Sequence, residues 1–588
     1  MCGVGMWNRN SIKALIGFLV ALLIALSIRS IETFASSGAE PVASSNVTTI
    51  TPLEIVGILI ILLILTYTLL GCNLLGLTEP LLHGPLVGIV LGLSPQVYLS
   101  ISAMFQLMFM GLFMVGGAAV PNAWAATISA LIFAKVLGYT SAVTPEQLGT
   151  LVTLALPIAM LTMYLEILGA RAGCAIYHHW ADREIERLHL GRIPIIAALG
   201  TFQWFVMYAI PVVAVATLGA SPAAAEAIKS FVEQPTVKTI FSAISVAAAL
   251  MPAVGLGLLL KLTYTSAMLP WFLLGYVLVA YLKMPILGIA ITVAALIILA
   301  YWHEISELMT PTAQATTEVS KPTGIITKGD LYKAYLKTIF GDQWAWSYER
   351  MQGTSYLFVM THIEKKLRKS PEELKAWLKL HNEFFNTHPT MTPVIVGMNI
   401  ALEEGGADPD TVRAIKTSLM GPLAGFGDSF WWFTWRPIAF GIGVALTQTL
   451  GIVGPIVAFI IWFAGEFLAT WYLFWIGYRY GLNAITIIKG GRLETIKKIA
   501  GALAVAIVAA VGVTYINVKI PITITPPGAA QAISIQSAID MILPRLIPLI
   551  FLLGAFALYR RGWSITKVLA LYFVLGFILG LAGILATG

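Results

Sequence analysis

The sequence predicts an all-α polytopic membrane protein with two related helical halves, whose helices are interrupted by proline and glycine. Of its 588 residues, 58% are hydrophobic and only 11% are charged, whereas soluble domains contain about 25% charged residues. Many windows contain the roughly 20 apolar residues that a spanning helix needs, and barrel-type alternation is absent. A polar stretch in the middle of the chain separates the two apolar halves.

About a dozen helices are therefore predicted to cross the membrane. The apolar windows, of which the longest have room for two spans each, cover residues 12–29, 53–71, 97–119, 149–172, 195–218, 239–260, 268–300, 439–480, 499–517, 542–559 and 565–586. The net charge of +7 does not indicate nucleic-acid binding, because the basic residues cluster in short loops beside these windows. Such loops are typical of the cytoplasmic side.

Residues 1–50 are predicted to form either a signal peptide or a signal-anchor helix, followed by an external segment. Arg9 and Lys13 precede the apolar run Ala14–Ile28, a pattern that fits both alternatives. The three cysteines are scattered and form neither a metal spacing nor a disulfide framework.

Residues 51–305 form the first predicted membrane domain, 306–327 a polar linker and 328–588 the second membrane domain. The linker is rich in threonine and proline, as flexible connections often are. The second domain begins with predicted cytoplasmic or interfacial helices, in which Trp344 and Trp346 mix with Lys333 and Lys337. The basic loop His178–Arg192 is also predicted to be cytoplasmic, and the span count then places the C-terminus outside.

Four apolar segments are irregular, two in each half. They are Thr78–Pro95, Met110–Trp124, His388–Gly406 and Ser418–Pro437, and each contains several glycines or prolines. Irregular backbone at membrane depth is tolerated only where protein or a cavity supplies hydrogen bonds. Interrupted segments in both halves are the usual sign of a transporter site near the midplane.

The segment Ser418–Pro437 contains the acidic residue Asp428. On a helix, Asp428 and Trp432 share a face, and Arg436 lies about 12 Å from Asp428, too far to pair with it. A carboxylate beside an indole suits a sugar, since the acid accepts hydroxyl hydrogens and the ring covers the C–H face. The alternative is a structural aspartate that binds backbone N–H groups.

Three enzymatic alternatives find no support in the sequence. The segment Gly425–Asp428 has the Gly-x-Gly-Asp pattern of intramembrane aspartyl proteases, but the second supporting carboxylate motif is absent from the chain. The sequence His303–Glu307 is not a zinc-protease motif, and no Walker sequence occurs. The adjacent His178 and His179 have no third ligand at a suitable spacing, so no metal is predicted there.

The residues also match a known family. Residues 328–588 resemble the IID subunit of the mannose/fructose/sorbose-family phosphotransferase system (PTS), and residues 50–305 resemble its partner IIC subunit. The matching IID motifs are ERMQG (Glu349–Gly353), FFNTHP (Phe384–Pro389), GMNIALEE (Gly397–Glu404) and the segment Leu419–Pro437. The IIC motifs are PLVGIVLG (Pro85–Gly92), the pair Pro121-Asn122 and MLPWFLLGY (Met268–Tyr276).

The resemblance implies a sugar permease in which IIC and IID are fused, moving solute by an elevator-type shift. It implies separate IIA and IIB phosphocarrier proteins as partners, phosphorylation of the sugar by IIB, and a homotrimer in the lipid membrane. The chain itself has no phosphoryl-carrying domain, so whether it counts as an enzyme stays open. No cofactor, metal or nucleic acid is expected.

The resemblance also implies a set of substrate-binding residues, several of which depart from the family pattern. Gln106 aligns with an acid of IIC, Asn73 with an aspartate, Asn122 with the aspartate of a Pro-Asp pair, and Lys261 with an asparagine. His388 aligns with the amide of a Thr-Gln-Pro sequence in IID. Together with Asp428 and Trp432, these residues form the predicted site.

Three functional hypotheses follow. The first is a IIC–IID permease whose sugar is phosphorylated by a separate IIB protein. The second is an uncoupled permease for a sugar or an anionic solute, the anion being paired with Lys261. The third is a membrane receptor or scaffold that does not transport.

Overall fold

A computed structural model describes residues 48–112, 120–141, 143–309, 324–368, 370–481, 492–524 and 533–587. The predicted N-terminal helix and most of the polar linker lie outside the described residues. The structure is mainly helical, and its strands are short two-residue segments.

The first half consists of twelve α-helices within the described residues, interrupted by a π-helical segment. They are α1 Pro52–Leu69, α2 Pro80–Val90, α3 Pro95–Phe109, α4 Ala123–Val136, α5 Pro145–Leu165, the π-helix Glu166–Ala172, α6 Ala175–Glu186, α7 Ile193–Ala220, α8 Pro222–Glu233, α9 Pro235–Thr263, α10 Leu269–Ala280, α11 Ile286–Ala300 and α12 Trp302–Met309. Short 3-10 helices at Leu190–Arg192 and Ser266–Met268 connect some of them.

The second half begins with helices that follow the linker and continues with longer apolar ones. They are α13 Lys328–Gly341, α14 Gly353–Leu367, α15 Pro371–His381, the 3-10 helix Pro389–Met391, α16 Thr392–Glu404, α17 Pro409–Gly427, the π-helix Asp428–Trp435, α18 Arg436–Leu450, α19 Val453–Tyr480, α20 Arg492–Tyr515, α21 Ile535–Ile542, α22 Leu546–Arg560 and α23 Ile565–Leu581. The strands are β1 Val518–Lys519, β2 Thr523–Ile524, β3 Ile533–Ser534 and β4 Ala586–Thr587.

Local sequence marks the starts of many helices. Thr51 caps α1 and forms a capping box with Glu54, and Thr144 does the same for α5 with Gln147. Proline occupies the first turn of both helices, where its missing N–H costs nothing. The predicted cap at Ser370 is confirmed, since its side chain accepts a hydrogen bond from Glu373 N.

Among the described residues, six helices are long and apolar enough to span a membrane, and a seventh span exists if α21 and α22, bent by 73°, are counted together. The six lie within Pro52–Leu69, Pro145–Glu186, Leu190–Ala220, Pro235–Lys261, Val453–Arg479 and Lys498–Tyr515. Five further apolar helices have only 10–17 residues. The sequence predicted about a dozen spans partly because three of these short helices, Ser266–Ala280, Gly288–Ala300 and Lys567–Leu581, lie largely within the apolar windows 268–300 and 565–586.

The two halves pack against each other over a broad surface. Helix α9 of the first half lies along α23 of the second, and α10 lies along α20. Gly576 permits the first contact, since a Cβ there would lie 2.5 Å from Ala247 Cα. One hydrophobic core contains residues from both halves, and a second lies beneath the helices that follow the linker.

The helices that follow the linker, α13 to α15 (the linker helices), lie at the same end of the molecule as α6. Arg350 donates to both carboxylate oxygens of Asp182, at 2.9 and 2.7 Å. His178 binds the Ser347 hydroxyl at 2.6 Å and also contacts Thr354, so this histidine joins the halves through hydroxyl groups. Near the start of α20, Lys498 forms an ion pair with Glu304. Strand β1 follows the other end of α20 and pairs with β4.

The irregular segments are short helices or distorted helices. Helices α2 and α16 have 11 and 13 residues, and every residue of α16 is buried. The segment Ser418–Pro437 contains no chain break; instead the helix widens into a π-helix over Asp428–Trp435. Part of the predicted Met110–Trp124 segment lies outside the described residues.

Candidate functional site

A cavity of about 120 Å³ lies between the two halves, near the end that faces the linker helices. One water needs roughly 10–15 Å³ on such a measure, so the cavity has room for a solute about the size of a monosaccharide. Its walls are formed by Leu69, Leu70, Asn73, Arg171, Trp204, Gln343, Trp346, Asn386, Thr387, Pro389, Ala424, Asp428 and Trp432. Three of the seven predicted site residues, Asn73, Asp428 and Trp432, therefore share one cavity.

Asn73 lies in the turn that follows α1, where its backbone adopts a positive φ of 50°. Asparagine tolerates this conformation better than most residues. Trp462 fixes the turn by donating its indole N–H to Asn73 O at 2.9 Å. The buried amide group of Asn73 has no hydrogen-bond partner in the described part of the chain, so both its donor and its acceptor are available to a solute.

Asp428 opens the π-helix Asp428–Trp435. Such segments often occur at functional sites, because the wider turn re-aims side chains. No protein group within the described ranges hydrogen-bonds to the Asp428 carboxylate, which argues against the alternative of a structural aspartate that caps backbone N–H groups. Trp432 lies in the same π-helix and stacks on Trp462, with ring centroids 5.9 Å apart.

His388 lies behind the cavity wall. Its ring is 5.1 Å from that of Trp432, and its Nδ1 accepts a hydrogen bond from Thr390 N at 3.2 Å. Gly427 allows this approach, because a Cβ there would lie 2.2 Å from the His388 Cβ. His388 therefore supports Trp432, while its neighbours Thr387 and Pro389 form the wall itself.

Gln106 is placed elsewhere than the sequence predicted. Its Oε1 accepts from Leu81 N at 3.1 Å and its Nε2 donates to Glu79 at 2.6 Å. The other Glu79 oxygen accepts from Arg436 Nε at 2.7 Å, and Arg436 also donates to Met110 O at 2.8 Å. Gln106 thus belongs to a buried polar network that joins the two halves, because an amide can satisfy a backbone N–H and a carboxylate at once.

Two further predicted residues do not line the cavity. The Asn122 side chain caps α4 by accepting from Ala125 N at 2.9 Å, a role that asparagine often has at helix starts. Lys261 lies in the last turn of α9 and is exposed. The family resemblance, which aligns Lys261 with a polar asparagine, had placed it in the site, but the helix ends only two residues later.

Arg171 is the main cavity residue that sequence reasoning missed. Its guanidinium donates to Glu166 at 2.9 Å and to the Tyr348 hydroxyl at 3.2 Å, and it lies 5.4 Å from the Trp346 ring centroid and 5.9 Å from that of Trp204. Residues five apart do not meet on an α-helix, but they do on the π-helix Glu166–Ala172. The available signal was an acid and a base five residues apart in an apolar run.

The charges around the cavity suit a neutral polar solute. Arg171 is paired with Glu166, so within the described residues Asp428 is the carboxylate that faces the cavity without a hydrogen-bonding partner. Amides from Asn73, Gln343 and Asn386 add donors and acceptors. Together with the indoles, this set matches the needs of a molecule that has many hydroxyls on an apolar ring.

A buried cluster away from the cavity has a composition that suggests a metal. Within the described ranges, Glu364, His381 and Glu403 are the group whose ligand atoms lie close enough to hold an ion. However, Arg368 donates to Glu364 and to Glu403, both at 2.7 Å. A guanidinium between both acids already supplies the positive charge, so the cluster is an ion-pair network.

Both halves match models of known protein families. Residues 325–585 match the model described as "PTS system mannose/fructose/sorbose family IID component", and residues 53–299 match that of the "PTS system sorbose-specific iic component".

Individual relatives agree with these matches. The mannose-specific EIID component of the Escherichia coli K12 PTS is 30% identical over 287 residues, which are 47% of this chain and 97% of the relative. The sorbose-specific EIID component of Lacticaseibacillus casei is 32% identical and covers 45% of this chain and 95% of the relative. The sorbose-specific EIIC component of the same species is 27% identical, over 36% and 71% of the two chains.

Proposed function

Because the chain belongs to the mannose/fructose/sorbose family of the sugar phosphotransferase system, as a fusion of its IIC and IID components, we propose that the cavity between its two halves binds the transported sugar. The protein is a multi-pass membrane permease for a sugar of this system. The observation that supports the cavity most directly is that, among the described residues, neither the Asp428 carboxylate beside the Trp432 indole nor the Asn73 amide has a hydrogen-bonding partner.

Each cavity residue has a role that follows from its chemistry. Asp428 accepts hydrogen bonds from two sugar hydroxyls, and Asn73 both donates and accepts. Trp432, held by Trp462 and His388, covers the C–H face of the ring. Arg171, whose charge is paired with Glu166, shapes the opposite wall by means of Trp204 and Trp346.

Transport follows an elevator-type movement in which the short buried helices carry the site across the membrane. Helices α2 and α16, one in each half, are too short to span and serve as re-entrant elements of the moving part. The linker end faces the cytoplasm, the C-terminus lies outside, and the chain assembles as a homotrimer.

The sugar is phosphorylated by a separate IIB protein as it leaves the cavity, and IIB is itself charged by IIA. The cavity lies near the linker helices. The surface on which IIB docks is formed by Asp330–Gly353 and Ser370–Pro389, together with Arg560. Exposed lysines such as Lys333 and Lys365 favour an approaching phosphohistidine. The hypothesis of an anionic solute depended on pairing with Lys261, which does not line the cavity.

The proposal is tested by uptake in a bacterial strain that lacks its own mannose-family permease. The chain is expressed together with a IIA–IIB pair of the family and offered radiolabelled mannose, fructose and sorbose, which are sugars named for its relatives. Accumulation of at least one of them, competed by the unlabelled sugar, supports the assignment. Absence of uptake for every sugar of the family, with the protein present in the membrane, contradicts it.

A further inference from the structure

Glu466 is a fully buried acid inside the spanning helix α19, and the proposed sugar site does not use it. Its Oε2 accepts a hydrogen bond from the Thr390 hydroxyl at 2.8 Å. Its Oε1 has no partner in the part of the chain that the structure describes. A carboxyl group in this position is therefore held by one neutral donor only.

Within the described residues, Glu466 forms no ion pair with the elements that pack against it. The groups that interact with it electrostatically are the Cys72 thiol and the Tyr335 phenol, both neutral at ordinary pH. The other charged or titratable groups on these elements have partners of their own: Glu79 and Arg436 with each other, His83 with Leu77 O, His388 with Thr390 N, Glu403 with Arg368, and Glu404 with Tyr478. An unpaired buried carboxylate costs several kcal/mol, so the neutral, protonated form is favoured here.

The residue that Glu466 contacts directly follows a residue of the cavity wall. Thr390 follows Pro389, which lines the cavity, and Pro389 O accepts from Cys72 Sγ at 3.2 Å. Cys72 in turn precedes Asn73 in the turn on the other side of the cavity. Glu466 thus stands directly behind the junction of two cavity-forming segments, one from each half.

We propose that Glu466 is a proton-binding site that controls this wall of the cavity. While the carboxyl group is protonated, a single hydroxyl from Thr390 satisfies it and the wall stays closed around Cys72. When the proton leaves to water, the carboxylate needs further donors, and water reaches it only if the segment Thr387–Thr390 moves away. The sugar site then responds to pH; this consequence rests on the proposed function, whereas the protonation of Glu466 does not.

The test uses Cys72 as a reporter, because its side chain is buried against Pro389 O. In a Cys2→Ser, Cys174→Ser background, the rate of Cys72 labelling by a maleimide is measured in nanodiscs at pH 6 and pH 9, with Glu466 or with Glu466→Gln. Because the two proteins are compared at the same pH, the general rise in the labelling rate that comes from thiolate formation affects both of them. Ionised Glu466 by itself repels a thiolate, so faster labelling reports an opened wall.

The expected result is equal labelling of both proteins at pH 6 and at least fivefold faster labelling of the Glu466 protein at pH 9. The matched control is Glu404→Gln, which changes another buried acid that contacts α19, through Tyr478, and should keep the parent's pH profile. If Glu466→Gln shows the same profile as the parent, or labels fast already at pH 6, the proposal is overturned.

Thr390→Val provides a second variant if Glu466→Gln fails to give a monodisperse protein. It removes the hydroxyl and keeps the acid, so at pH 6 it should label at least fivefold faster than the parent does at the same pH. A Thr390→Val protein that labels no faster than the parent at pH 6 contradicts the proposed link. Neither measurement requires transport, so a negative result here is distinct from a failure of the proposed sugar site.

Discussion

At the scale of single residues, Asp428 has the most direct consequence for function. Its carboxylate faces the cavity, and a hydrogen bond to a charged group contributes about 1.5–3 kcal/mol. Asp428→Asn should therefore lower the affinity for the sugar roughly 10- to 100-fold, measured as the concentration dependence of uptake. The control is Asp410→Asn on the same helix α17, where the side chain is 90% exposed; unchanged uptake in Asp428→Asn would make Asp428 structural at most.

A second residue-scale prediction concerns the buried pair of Arg436 and Glu79. Loss of one partner from a buried ion pair costs about 3–5 kcal/mol, whereas an exposed pair contributes about 0–1 kcal/mol. Arg436→Met should lower the thermal unfolding midpoint in detergent far more than Arg413→Met, which breaks the exposed pairs with Asp410 and Glu383. Adding Glu79→Met to Arg436→Met should restore part of the loss, and equal midpoints for the two single variants would refute this role.

The sequence was sufficient to predict some residues of the cavity wall and not others, for identifiable reasons. Asp428 and Trp432 were predicted because both lie in one helical segment, where spacing defines a shared face. Gln106 was predicted to line the site, but it binds Glu79 instead. Because the two residues are 27 positions apart in the chain, the sequence gives no sign of this contact. Arg171 was missed because its pairing with Glu166 needs a π-helix, and neither residue lies in a motif that marks one.

At the scale of elements, the cluster of Glu364, His381, Glu403 and Arg368 fixes helices α14, α15 and α16 to one another. Burial raises the pKa of Glu403 to about 8, and the neighbouring Glu364 adds to this effect. Burial also opposes the ionisation of Glu364, but hydrogen bonds from Glu403 and His381 and the charge of Arg368 outweigh it and lower its pKa to about 2. The two acids therefore share one proton at neutral pH.

The cluster makes stability depend on pH in a defined direction. Glu403 binds a proton in the folded state above its ordinary pKa of 4.5, so its contribution is lost as the pH rises from about 5 to 8. Burial by itself lowers the pKa of His381, but the two carboxylates outweigh burial and raise the pKa above its ordinary value of 6.5. The contribution of His381 to stability is therefore complete below pH 6.5 and is lost at higher pH. The unfolding midpoint should therefore fall by a few degrees between pH 6 and pH 9.

Glu403→Gln should flatten this dependence, because a neutral side chain then replaces the titrating acid. Glu373→Gln is the matched control, since Glu373 lies 3.9 Å from Arg368 but is 46% exposed. Differential scanning fluorimetry at several pH values gives both slopes. A Glu403→Gln protein that keeps the slope of the parent would show that another group is responsible.

Local sequence accounts for the starts of several helices, as the caps at Thr51, Thr144 and Ser370 illustrate. The departure of Thr78–Pro95, His388–Gly406 and Ser418–Pro437 from regular spanning helices was predicted from their glycines and prolines. Their detailed form was not, because a π-helix and a chain break have the same glycine and proline signals. In Ser418–Pro437, Gly427 permits close packing against His388, whereas a Cβ at Gly421 or Gly425 would meet open space.

At the scale of the whole molecule, the proposed function predicts one orientation of the chain in the membrane, with the linker helices on the cytoplasmic side. Glu372, at the start of α15, and Lys519, in β1, are both exposed and belong to opposite ends of the molecule. In a cysteine-free background, Glu372→Cys should react with a membrane-impermeant maleimide only in inside-out vesicles, and Lys519→Cys only in right-side-out vesicles. The reverse pattern would invert the topology and remove the linker helices as a docking surface.

The coupling of transport to phosphorylation by IIB is tested most directly by reconstitution. The purified chain in proteoliposomes is given a radiolabelled sugar identified by the uptake screen, with and without a phosphorylated IIB protein on the side of the linker helices. Phosphorylated sugar should accumulate on that side only when phosphorylated IIB is present, and Asp428→Asn should abolish it. Equal movement of unmodified sugar with and without IIB would contradict phosphoryl coupling and indicate an uncoupled permease.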